Sequence, residues 1–328
     1  MNKRRQFLFL LGAGGLSLAE PAWTNQVERK IARVGVLASG NLTGTPQYEA
    51  FRRGMQEHGW VEGNNFSIEH RWTDQDVGQL PALARELVEL PVDVILAWGT
   101  PAVAAARQAT ATVPIVMIAV ADPVAQGFVT SLAKPGGNIT GMSNRLLGNI
   151  AKNVEMLVRV RPGAKRIAIL ANPGNGSHAL VLQEAQAAAR DHGVHLDVLA
   201  AATPAEIERV IPAIRPESIA GMVIIGDPMF MQQRARIAEL ALQKRLPTTT
   251  IFRQYPEAGG LMSYGLNSTD MFRREAYFVD KILRGTKPGD LPVEHPTTYE
   301  MVINLKTARA IGIQIPESVV LRADKVIE

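Results

Sequence analysis

The sequence predicts an α/β protein built as two doubly wound parallel-sheet lobes. Short apolar runs of strand length alternate with longer helical patterns along almost the whole chain. The alternation halts at Lys134-Pro135-Gly136-Gly137-Asn138, a turn without periodicity, and starts afresh after Arg161-Pro162-Gly163. With 328 residues, the chain is also long enough for two separate cores.

In the first half, Ile31 to Ala38 reads as a strand and Pro46 to Gly59 as a helix. Phe66 to Trp72 and Val77 to Leu90 repeat the pair, followed by the buried strand Val92 to Ala97 and the Ala-rich helix Pro101 to Ala109. Pro114 to Val120 is a further strand, Pro123 to Ala133 a further helix, and Asn138 to Met142 a short closing strand. Strand-helix units of this length specify a parallel sheet covered on both faces. A long helix, Leu147 to Val160, leads into the second half. There the strands are Arg166 to Ala171, Val194 to Ala200, Ala220 to Ile225, Thr248 to Phe252 and Gly260 to Leu266. Helices Ala179 to His192, Pro204 to Ile214, Met229 to Lys244 and Met271 to Arg284 separate or follow them. The tail, including Thr298 to Leu305, is expected to complete the first lobe. That assigns 31–145 with 286–328 to one lobe and 146–285 to the other.

The first residues read as an address. Lys3, Arg4 and Arg5 precede a short apolar run from Phe7 to Leu18, and Ser17 and Ala19 are small residues placed for cleavage after Ala19. That order is a secretory signal, residues 1–19, and the run is too short to span a bilayer. The adjacent arginines fit either a twin-arginine or an ordinary signal. Export to the periplasm is therefore expected, with no membrane insertion of the mature chain. The absence of Cys excludes disulfides, thiol catalysis and a lipid-anchoring cysteine. The net charge of +4 falls to +1 once Lys3, Arg4 and Arg5 are removed. No basic stretch interleaved with aromatics remains, so a nucleic-acid partner is not expected.

In open parallel sheets, ligands bind beyond the carboxyl ends of the strands. Those ends are polar here: Ser39-Gly40-Asn41, Trp98-Gly99-Thr100 and Ala121-Asp122-Pro123 in the first half. In the second they are Asn172-Pro173-Gly174-Asn175-Gly176-Ser177, Gly226-Asp227-Pro228 and Ser263-Tyr264-Gly265. Two lobes facing each other across these loops would enclose a cleft whose helix N-termini suit a carboxylate. Thr100-Pro101, Asp122-Pro123 and Asp227-Pro228 each carry the signature of an N-cap followed by Pro. Asp227 is the expected exception to simple capping, as the partner of a ligand ammonium group. Trp98 and Tyr264 are candidates for an aromatic wall.

The Asn172 to Ser177 loop lacks the Gly-Lys-Ser/Thr ending of a nucleotide-hydrolysing loop. The six histidines are scattered, and His192 and His195 flank a turn rather than forming a metal pair. No Gly-x-Ser-x-Gly elbow or His-Glu-x-x-His helix occurs. No catalytic residue, metal or cofactor is therefore expected.

The tail carries the most specific signal. The stretch Pro292-Val293-Glu294-His295-Pro296-Thr297-Thr298-Tyr299-Glu300-Met301-Val302-Ile303-Asn304-Leu305-Lys306-Thr307-Ala308 resembles a signature of ABC-transporter substrate-binding proteins related to tryptophan- and tyrosine-binding components. Leu321 to Glu328, Ser131 to Gly141 and Val279 to Gly285 resemble the same family. The resemblance implies a periplasmic-binding-protein fold, type I-like, with a multi-strand hinge. It also implies a monomer that hands a small ligand to an inner-membrane permease driven by a separate ATPase. By the same analogy, Ser39, Thr100, Asp122, Ser143, Asn172, Asp227 and Tyr264 occupy cleft positions, and an aromatic amino acid is the prior ligand. Two rival outputs share this fold, a periplasmic module that presents ligand to a receptor and a hydrolytic enzyme. Only the latter would turn its ligand over.

Overall fold

The structure is a computed structural model describing residues 31–73, 76–144, 146–296 and 298–328. The expected signal segment, residues 1–19, lies outside the described residues.

The first sheet takes its strands from the front of the chain. Strand β1 (Ala32–Ser39) leads to helix α1 (Pro46–Glu57), then β2 (Phe66–Thr73), α2 (Leu80–Glu89), β3 (Val94–Trp98), α3 (Thr100–Ala109), β4 (Ile115–Val120) and β5 (Ile139–Ser143). The order β2-β1-β3-β4-β5 is parallel throughout. Every residue of β3 and β5 is buried, because helices cover both faces and no strand position is left for a solvent-facing side chain. On one face α2 and α3 contribute Leu80, Leu87, Val103 and Ala106 to a core with Leu37, Ile95 and Ile115.

The second sheet follows α4 (Leu146–Val160). Its elements are β6 (Arg166–Ala171), α5 (His178–Asp191), β7 (His195–Ala200), α6 (Pro204–Val210), β8 (Met222–Ile224), α7 (Pro228–Gln232), α8 (Arg234–Gln243), β9 (Thr248–Thr250), α9 (Gln254–Glu257) and β10 (Met262–Leu266). Helix α10 (Ser268–Leu283) then returns to the first sheet, and β11 (Tyr299–Asn304), α11 (Leu305–Ile311), α12 (Glu317–Val320) and β12 (Lys325–Ile327) end the chain. The sheet order is β12-β11-β10-β9-β8-β6-β7, with β11 antiparallel to β10.

This topology redistributes the tail. The sequence reading gave 146–285 to one lobe and 286–328 to the other. Instead, α10 packs with α1, where Phe272, Ala276 and Val279 join Phe51 and Met55 in one core. The segment up to Glu294 stays with β5: Thr140 Oγ1 donates to Leu291 O (2.7 Å), and Ser143 N donates to Glu294 O (3.0 Å). Strands β11 and β12 belong to the second sheet, where Val302 and Ile303 are fully buried. The reason is pairing: the tail strand fills the free edge of β10, whose backbone groups would otherwise lack partners. Among the described residues the chain passes between the sheets three times, after β5, after β10 and before β11. These passages form the hinge.

Two expected helices also differ. Pro123 to Ala133 folds as a capped turn, closed by Phe128 N donating to Pro123 O (2.8 Å), with Gly127 at φ +66° ending it. Met229 to Lys244 is divided at Gln233 into α7 and α8.

Candidate functional site

The carboxyl ends of the two sheets face one another, and the space between them centres on Trp98. This side chain, at the end of β3, lines three neighbouring cavities. The largest, about 430 Å³, lies between the β1–α1 loop and the α7 and α9 segments of the second lobe. Two smaller spaces of about 20 and 30 Å³ lie beside Trp98, toward Phe252, Ala119 and Asn144. Trp98 itself is held edge-on to Phe272, with ring centroids 5.7 Å apart and planes at 78°, a favoured aromatic geometry.

The lobes are in close contact around this space. Gln232 Nε2 on α7 donates to Ser39 O at the end of β1, and Gln126 Nε2 donates to Gly176 O (3.4 Å). Gly99, the N-cap of α3, has φ +82°, and a Cβ there would come within 2.9 Å of the Pro228 ring. A residue with a side chain would meet both backbone strain and this contact between lobes. Thr100 therefore opens the helix rather than capping it, and Pro101 occupies its second position. Gly99 and Thr100, at the start of α3, line the smaller cavity, and the first N–H groups of a helix lack intrahelical partners.

Of the residues singled out from sequence, Trp98, Gly99, Thr100, Asn175 and Asp227 come together around that cavity. Five others lie off the three cavities. Ser39 is buried below the β1 loop, and only its neighbour Gly40 reaches the large cavity. Asp122 Oδ1 accepts from Val124 N (3.1 Å) and Ala125 N (2.9 Å), which makes it the cap of its own turn. Ser143 is buried in β5, its Oγ 3.4 Å from Ala121 O. Asn172 belongs to the network beneath Asp227. Tyr264 stacks on Tyr299 across β10 and β11, with centroids 5.8 Å apart.

Asp227 departs furthest from the sequence expectation. Its Oδ1 accepts from Met229 N (2.9 Å) and Phe230 N (3.4 Å), capping α7. Its Oδ2 accepts from Asn175 Nδ2 (2.9 Å) and Asn172 Nδ2 (3.2 Å). Four donors fill the capacity of a carboxylate, so no lone pair remains for a ligand ammonium group. His178 closes the network. Its Nδ1 accepts from Asn172 N (2.8 Å), so the ring proton resides on Nε2, which lies 3.3 Å from Gly226 O. Burial pushes the His178 pKa down despite the opposing pull of Asp227, and the ring is neutral.

Sequence reasoning missed Gln47, Gln232, Arg234 and Gln254 in the large cavity, and Asn144, Met231 and Phe252 near Trp98. Phe252 and Asn144 each sit one or two residues beyond a strand end, the same positional signal that selected Trp98. The glutamines lie inside short helices, where nothing in the local pattern separates them from surface residues. Gln47 and Gln254 both donate to Ser268 Oγ, at 3.2 and 2.9 Å, linking α1, α9 and α10 across the lobes.

Two sheets meeting at their carboxyl ends, three chain crossings and a cleft between them describe a ligand-binding architecture. A family profile of ABC transporter substrate binding proteins matches residues 43–327. The chain belongs to this family. Among relatives of this binding protein, a tyrosine-binding protein of Clostridioides difficile is 26% identical over 266 residues, 81% of this chain and 76% of that one. A conserved domain protein of Vibrio cholerae has a solved structure with a TM-score of 0.84 at 29% identity, covering 90% of this chain and 100% of that one. An ABC domain from Streptococcus pneumoniae, solved in complex with L-Trp, gives a TM-score of 0.80 at 26% identity, covering 90% and 99%. Among the described residues, no helix is long and apolar enough to cross a membrane.

Proposed function

We propose that this binding protein captures an aromatic amino acid in the cleft around Trp98 and delivers it, unaltered, to an inner-membrane ABC permease from the periplasmic side. The observation that carries the reading is the cavity of about 430 Å³ shared by both lobes and walled by Trp98. The binding of L-Trp and tyrosine by two relatives supports the ligand class.

The chemistry around Trp98, in the two small spaces beside the large cavity, fits an amphipathic ligand. Trp98, Phe252, Phe272 and Met231 offer an apolar surface, and the N-terminus of the ten-residue helix α3 offers N–H groups to a carboxylate. Closure follows from the distribution of contacts. A ligand that touches Trp98 and Thr100 on one lobe and Met231 and Phe252 on the other gains both sets only when the lobes meet, so it shifts the population toward the closed form. The Gln232–Ser39 contact lies on the same closing surface.

A thermal-shift screen of the protein against L-tryptophan, L-tyrosine, L-phenylalanine, aliphatic amino acids and polyols tests this reading. Preferential binding to the folded state raises the melting temperature by mass action. A saturable rise with aromatic amino acids, without consumption of the ligand, is the expected result. A rise confined to polyols would reject the ligand class.

A further inference from the structure

Among the described residues, the two small cavities beside Trp98 offer a ligand ammonium group no open carboxylate, since Asp227 alone of the acidic residues lines them. Asp227 is saturated by four donors, and Glu257, which borders the large cavity, is engaged by Lys325 Nζ (2.8 Å) and Arg253 Nη2 (3.5 Å). Asn144 offers a different acceptor. It follows β5 at the first crossing between lobes, is 5% exposed, and lines both small cavities beside Trp98. Its Nδ2 donates to Ala119 O (3.0 Å), which fixes the amide orientation, since a carbonyl can only accept. The opposite atom, Oδ1, is buried and has no hydrogen-bond partner among the described residues. A buried acceptor left open is uncommon and marks a position made for something else.

The backbone around it is arranged to hold this orientation. Ala119 has φ +59°, a left-handed conformation that residues other than Gly seldom take, and the β4–β5 register shifts between Ile118 and Val120. This bulge borders both small cavities and places the Ala119 carbonyl against the Asn144 amide. Bulges re-aim side chains beside functional sites, and strained backbone gathers there. Asn144 N donates to Val120 O (3.0 Å), so the amide is anchored through its main chain as well.

From this geometry we infer that Asn144 Oδ1 accepts a hydrogen bond from the ammonium group of the ligand and selects amines over their des-amino analogues. The inference rests on the reading of the cleft as an aromatic amino-acid site. It assigns amine recognition to a neutral amide at the hinge rather than to a carboxylate on one lobe, so occupancy is sensed where the lobes join.

The test compares L-tryptophan with indole-3-propionate, which lacks only the amine, by calorimetric titration of wild type, Asn144→Ala and Asn144→Asp, with myo-inositol as a third probe. Wild type is expected to prefer the amine by about tenfold or more, the scale of one hydrogen bond to a charged donor. Asn144→Ala is expected to erase that preference while leaving indole-3-propionate affinity within about threefold. Asn144→Asp loses the donor to Ala119 O, so its folding is checked by urea unfolding, and in the folded variant the added charge is expected to disfavour indole-3-propionate more than L-tryptophan. Equal losses for both ligands in Asn144→Ala, or an intact preference, would overturn the role of Asn144 while leaving the proposed function standing. Wild-type binding of myo-inositol alone would overturn the ammonium assignment and the aromatic ligand class but retain a binding cleft. Binding of none of the three would overturn both readings together.

Discussion

Glu275 lies in α10 beneath the hinge and is fully buried, with neither carboxyl oxygen in a hydrogen bond of normal geometry among the described residues. Burial pushes its pKa well above the ordinary carboxylate value. The Met142 backbone and Arg274 pull the other way, while Glu294 adds to the rise. The folded protein therefore keeps Glu275 protonated at pH values where the unfolded chain ionises it. A raised pKa of this kind gives stability that is complete below about pH 4.5 and is lost as pH rises toward the folded value. Between those limits the unfolded state binds one proton fewer, and stability falls by about 1.4 kcal/mol per pH unit. Glu275→Gln removes the ionisation and with it this slope. Urea unfolding midpoints of wild type and variant, measured at pH 5, 6 and 7, are expected to diverge in favour of the variant. The divergence should grow with pH for as long as the folded carboxyl stays protonated, and level off once it ionises in both states. The amide adds its own burial cost, which is independent of pH and shifts the whole curve without changing its slope. Parallel pH profiles for the two proteins would refute the reasoning, because they would show Glu275 ionising equally in both states.

Three further perturbations address the site. Asp227→Ala strips the α7 cap and leaves the Asn172 and Asn175 amides unpaired, so a loss of about 2 kcal/mol or more is expected in denaturant unfolding; unchanged stability with lost ligand binding would return Asp227 to the role of ammonium partner. Gly99→Ala places a Cβ at φ +82° and against Pro228. It is expected to cost about 1–2 kcal/mol and to weaken ligand binding roughly tenfold by opposing closure, with small-angle scattering showing a more open molecule; wild-type affinity would count against the closure mechanism. His178 has a depressed pKa, so its stability contribution is present above about pH 6.5 and is lost as pH falls. His178→Asn, which keeps an acceptor for Asn172 N, is expected to flatten the decline of the unfolding midpoint between pH 6.5 and 5, and an unaltered decline would show that the ring is not held neutral.

The sheets were legible in the sequence because their strands are continuous apolar runs bounded by turns, and a residue such as Ile95 or Ile169 has little choice but burial. The lobe of the tail was not. Tyr299 to Asn304 has the same Ile and Val content whichever edge it joins, and only pairing with β10 decides it. The site was half legible. Position alone selected Trp98, Gly99 and Thr100, since strand ends in parallel sheets point to the cleft. Chemistry selected Asp227 as well, but its four donors come from residues up to 55 positions away in sequence, Asn172 among them. Asn144 escaped notice because its open acceptor depends on a bulge at Ala119, and no local pattern marks where a parallel register slips. The hinge carboxyl was hidden for a similar reason. Glu275 sits in a helix whose Arg273, Arg274 and Lys281 suggest a solvated face, and the packing of α10 against β4 and β5 buries that position.

The most direct test of the account is a calorimetric titration of the wild-type protein and Trp98→Phe with L-tyrosine and L-tryptophan at two temperatures. A single saturable site in wild type, a negative heat-capacity change from apolar burial and at least tenfold weaker binding in the folded variant are the expected results. Absence of saturable binding to either amino acid, or equal affinity in Trp98→Phe, would contradict the claim that this cleft is built to enclose an aromatic ligand.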